Sequence, residues 1–74
     1  MRMLRVDDRV RLIDDVPETD LVRGRIGVIC GQWKGDREPY FEVEFSSMEQ
    51  NDVLRLLLRP TQIEVEVNEE VAVD

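Results

Sequence analysis

The sequence predicts a small all-β fold of five short strands, and three observations carry that expectation. Apolar and polar residues alternate with a period of two at residues 9–13, 40–46, 53–59 and 63–67, as strands with one buried face require. Segments rich in Gly, Pro and charge separate these stretches at short intervals. The chain has 74 residues, 42% of them hydrophobic, which suits one thin core and no second domain.

In the first strand, residues 9–13, Val10 and Leu12 alternate with Arg9 and Arg11. Residues 14–20 follow, acidic and interrupted by Pro17, so they form a loop and not a central strand. The second strand spans residues 24–33. By simple alternation Ile26, Val28 and Cys30 share one face while Ile29 and Trp33 share the other. Gly24, Gly27 and Gly31 predict a bend or bulge that swaps faces within it. Residues 34–39 are a charged turn. Residues 40–46 give the clearest strand, with Phe41, Val43 and Phe45 facing in and Tyr40, Glu42 and Glu44 facing out. After a turn at 47–52, residues 53–59 place Leu54, Leu56 and Leu58 inward and Arg55 and Arg59 outward. A helix over 48–58 competes here, because Leu54, Leu57 and Leu58 also fit a helical stripe, but the alternation favours the strand. Pro60, Thr61 and Gln62 make a short turn before the last strand, where Ile63, Val65 and Val67 alternate with Glu64 and Glu66. The domain therefore runs over residues 1–67, followed by an acidic tail at 68–74 that is expected to fray.

Several segments together resemble a known family. They are Asp15-Val16-Pro17-Glu18, then Leu21, Gly24 and Ile26-Gly27-Val28-Ile29, then Phe41-Glu42-Val43-Glu44-Phe45 and Leu58-Arg59-Pro60-Thr61-Gln62-Ile63. In order and spacing this resembles a family of short bacterial and cyanobacterial proteins classed as a domain of unknown function. Its members share DLPE, G-x-x-G-T-V-V, E-V-E-F and L-R-P-x-Q-L patterns. The resemblance covers residues 9–66, with Val28 in place of the usual Thr and a longer turn at 33–39. It implies a five-stranded SH3-like barrel, with the loop at 14–20 about as long as an SH3 RT loop. More distantly the layout is similar to SH3-like accessory subunits: the photosystem I stromal barrel subunit, the variable chain of ferredoxin–thioredoxin reductase and the nitrile hydratase β-subunit barrel. Those are binding or scaffolding parts. Relatives encoded beside toxin-like genes make an antitoxin or immunity role a further implication.

Composition narrows the chemistry. The net charge is −7, from 10 basic and 17 acidic residues, which opposes non-specific nucleic-acid binding. There is no histidine and one cysteine, Cys30, so the commonest general base is missing and an intrachain disulfide is excluded. A zinc site is not expected, nor any cofactor, and no nucleophile–base pair suggests an enzyme. No apolar run approaches a membrane span or a signal-peptide core, and the expected location is cytoplasmic.

Most charged residues have a structural explanation. In an SH3-like meander the third and fourth strands are neighbours, as are the fifth and first. Arg55 and Arg59 then flank Glu42 and Glu44, while Glu64 and Glu66 meet Arg9 and Arg11. The Gly24-x-x-Gly27 spacing resembles the core of a KOW-type nucleic-acid motif, with Arg23, Arg25, Lys34 and Arg37 near it, or it merely permits a barrel bend. Cys30, in an apolar strand, is expected to be buried and inert. Trp33 either closes one end of the core or forms a partner surface with Tyr40. The resulting expectation is a non-catalytic protein-binding module, monomeric or weakly self-associating. Its expected binding residues are Trp33, Lys34, Arg37 and Tyr40 on one lip and Asp14, Asp15 and Asp20 on another. The alternatives are an antitoxin or immunity protein that masks a basic partner and a KOW-like nucleic-acid binder.

Overall fold

A computed structural model describes residues 4–47 and 52–66. Five strands appear in it: β1 (Arg9–Leu12), β2 (Ile26–Trp33), β3 (Tyr40–Ser47), β4 (Asp52–Leu58) and β5 (Ile63–Val65), with a single 3-10 turn at Pro60–Gln62. All neighbours are antiparallel, in the order β4-β3-β2-β1-β5. This is the order of an SH3-like meander, and it is consistent with the expected barrel. Residues 52–58 form a strand, so the competing helix does not form there; residues 48–51 lie outside the described residues. The last strand ends at Val65, two residues short of the expected limit; Val67 and the acidic tail also lie outside the described residues.

One apolar core joins all five strands. Val10, Leu12, Ile29, Phe41, Val43, Phe45, Leu58 and Ile63 are buried, and Leu21 reaches the same cluster from the β1–β2 loop. The inward set on β4 is the expected one, but its burial falls along the strand. Leu58 is buried, Leu56 half-buried, and Leu54 is 41% exposed.

Inside β2 the faces are set by two glycines. A Cβ on Gly27 would lie 2.7 Å from Val43 Cγ1 and 2.9 Å from the Glu44 carbonyl oxygen. Only glycine lets β2 press this closely on β3, and its neighbour in the core is Ile29. The register with β3 then shifts between Ile29 and Gly31. That bulge delivers the expected face swap, since Ile29 pairs with the inward Val43 whereas Gly31 and Trp33 pair with the outward Glu42 and Tyr40. Trp33 therefore does not share a face with Ile29. Cys30 is exposed rather than buried, because alternation sets it beside the exposed Val28, on the face opposite the buried Ile29.

The β1–β2 loop is folded by its own polar groups. Thr19 Oγ1 donates to the Val16 carbonyl at 2.8 Å and accepts from the Leu21 N–H at 3.0 Å, while Asp15 Oδ1 accepts the Arg23 N–H at 2.8 Å. Gly24 turns the chain into β2 at φ +93°, a conformation that favours glycine.

Candidate functional site

The most exposed aromatic side chain marks the end of the β2–β3 hairpin. Trp33 is 55% exposed, so it does not close the core. Its indole N–H donates to Glu42 Oε1 at 3.2 Å. Gly31 makes room for that bond, since a Cβ there would sit 3.1 Å from Glu42 Oε1 and 3.5 Å from Trp33 Nε1. Tyr40 is the cross-strand partner of Trp33. The Tyr40 ring lies under the turn, where a Cβ on Gly35 would be 2.8 Å from its Cε2. Lys34 and Arg37 are exposed on that turn and, with Trp33, line a shallow hollow of about 560 Å³.

Asp36 and Glu38 line the same hollow, but Asp14, Asp15 and Asp20 lie elsewhere. The β1–β2 loop and the β2–β3 turn are joined to opposite ends of the eight-residue β2. Asp14 is exposed at the start of the loop, and Asp15 is engaged in holding the loop. Asp20 lines a second hollow, of about 440 Å³, whose apolar floor includes Phe45 and Leu54 and whose rim carries Glu18, Asp52 and Arg25. The Arg25 guanidinium is bound to the Ser46 carbonyl. Trp33, Lys34 and Arg37 are thus brought together with Tyr40, whereas Asp20 belongs to a different concavity.

The charged rows on the outer face meet largely as the strand neighbours require. Arg9 and Glu66 approach to 2.8 Å, Arg11 and Glu64 to 3.1 Å, and Arg55 and Glu44 to 3.6 Å. Glu42 departs from the expectation. It faces Leu57 on β4 and holds the Trp33 indole, while the Arg59 N–H donates to Gln62 Oε1 at 2.8 Å. Glu42 was missed as the anchor of Trp33, and the parity of Gly31, Trp33 and Glu42 across a bulge was the signal that could have found it. Gly24 and Gly27 are both accounted for by backbone geometry, one by its φ and the other by the approach to β3.

Cys30 donates its thiol to the Glu42 carbonyl at 3.4 Å. Desolvation against the sheet raises its pKa above the ordinary value; the Glu42 and Glu44 charges add to this, and Arg55 opposes it. A neutral thiol is a poor nucleophile. Among the described residues no helix is long and apolar enough to cross a membrane.

Residues 7–65 match the model of a family described as a domain of unknown function, DUF4926. No curated protein and no solved structure matches the chain.

Proposed function

We propose that this chain, which belongs to the family described as a domain of unknown function (DUF4926), is a non-catalytic protein-binding module that engages its partner through Trp33. One observation carries the proposal: a large aromatic side chain stands in solvent and is held in place by its bond to Glu42. Trp is enriched among residues that dominate interface energy, and an anchor already fixed in the free protein loses less entropy on binding. Tyr40 stands across the strand pair from Trp33, and the turn beside them carries charges of both signs, Lys34 and Arg37 with Asp36 and Glu38, which suits polar contacts around an aromatic anchor. The resemblance to SH3-like accessory subunits agrees with this role. A reducing cytoplasm suits the exposed thiol of Cys30.

The test is affinity capture with the intact chain and with Trp33→Ala, both checked for fold by circular dichroism. Loss of a partner held by the parent chain is expected, by at least about 30-fold in affinity for a residue contributing about 2 kcal/mol. A folded Trp33→Ala chain that retains every partner would overturn the proposal. A second reading, an immunity or antitoxin protein, is favoured by the acidic rim of Glu18, Asp20 and Asp52 around an apolar floor. A basic partner docked there would be released by Asp20→Asn and by salt, but not by Trp33→Ala.

A further inference from the structure

The two edges of the sheet are guarded unequally. On the β5 side the edge is three residues long and centred on Glu64. On the β4 side it is seven residues long, with Leu57 58% exposed and Val53 50% exposed. Short strands, charge and proline are the usual guards of an edge, and within β4 only Asp52 and Arg55 are charged.

Hydrogen-bond alternation identifies the groups that β4 leaves open. The Val53 N–H turns away from β3 to the Asp52 carboxylate at 2.7 Å. The β3–β4 register is unbroken, so the N–H and C=O groups of Val53, Arg55 and Leu57 point to the outer edge. The carbonyls of Glu42 and Ser46 agree with this phase, since both accept bonds from the β2 side. Side chains occupy the donors at both ends, Asp52 taking the Val53 N–H and Gln62 taking the Arg59 N–H. Among the described residues, the donors left on this edge are the N–H groups of Arg55 and Leu57.

We propose that this edge pairs with β4 of a second copy of the chain, antiparallel about a two-fold axis at Leu56. In that register Arg55 lies opposite Leu57 of the other copy, and the reverse. The two open donors on each chain then meet the two carbonyls that face them, giving four hydrogen bonds. No end cap has to break, because Val53 falls opposite Arg59, whose donors are both occupied. The symmetry is the self-complementarity that a two-fold interface demands. Charge supports it as well. Each Arg55 keeps Glu44 beside it and stands across from an apolar side chain, not from its own copy, whereas an axis at Arg55 would set the two guanidinium groups in opposition. The contact is one strand wide, so association is weak. It does not depend on the role proposed for Trp33.

Sedimentation of the intact chain from about 10 μM to about 1 mM, the range in which small interfaces associate, tests the proposal. The average mass is expected to rise toward that of a dimer, and Leu57→Lys, an edge charge on an exposed position, is expected to hold it at the monomer. The register is read in a Cys30→Ser background, where oxidised Leu56→Cys forms an interchain disulfide and Arg55→Cys does not. A chain that stays monomeric throughout overturns the proposal. So does a folded Leu57→Lys chain that associates as well as the parent, or a disulfide that forms through Arg55→Cys instead.

Discussion

Exposure does not make the Cys30 thiol reactive. Its proton is shared with the Glu42 carbonyl at 3.4 Å, and desolvation with the nearby carboxylates keeps the neutral form favoured above the usual thiol range. Because the thiolate is the reactive form, alkylation by iodoacetamide at pH 8 is expected to be slower in the folded chain than in urea. The folded rate keeps climbing at pH values where the unfolded rate has levelled off. Glu42→Gln removes one of the charges that raise the pKa, so it lowers the pKa and speeds the reaction. Equal folded and unfolded rates across that pH range would contradict this account. The exposure of Cys30 was not legible in the sequence. Period-two counting correctly groups Val28 with Cys30, but does not say which face of β2 is buried. That is decided by the lack of space for a Cβ on Gly27 against Val43 and Phe45, a tertiary contact that alternation does not encode.

Between elements, the outward charges act as register marks. Arg11 meets Glu64 directly across β1 and β5, and Glu44 meets Arg55 across β3 and β4. Both pairings follow from the alternation of each strand and the order of strands in a meander, which made this part of the fold legible. A double-mutant cycle on Arg11 and Glu64 is expected to give a coupling of ~0.2–1 kcal/mol. The lower half of that range is expected in practice, because both side chains are partly solvated, and the coupling shrinks as salt is added. Absence of coupling at low salt would show that the pair contributes only to register. The Glu42–Arg59 neighbourhood was not legible for a different reason. Gln62 reaches back from the 3-10 turn to the Arg59 N–H, and a bulge aligns Glu42 with Gly31 and Trp33. Caps and bulges are local departures from the periodicity on which the sequence reading rests.

Over the whole molecule, the core and the candidate binding surface use different residues, and this separation lets stability and function be tested independently. The sequence brought out Trp33, Tyr40, Lys34 and Arg37 as a cluster because the β2–β3 turn joins them locally. It did not separate them from Asp20, because loops at opposite ends of a strand look equally close along the chain. The core is small. A single core in a domain of this size rarely supplies more than ~3–5 kcal/mol, and truncating one buried aromatic ring removes about as much, ~3–5 kcal/mol. Phe45 is fully buried and its ring also lies against Gly27, so Phe45→Ala is expected to abolish the cooperative thermal transition measured by circular dichroism. Leu54→Ala, on the same face but at the exposed end of β4, is expected to cost less than about 1 kcal/mol and to keep that transition. Trp33→Ala is expected to behave as Leu54→Ala does, since more than half of the residue is already in water and its indole bond, to Glu42, is at the surface. If Phe45→Ala melted with the parent chain, the sheet would owe little to this cluster. If instead Leu54→Ala unfolded it, the core would have to extend further along β4 than its burial gradient indicates.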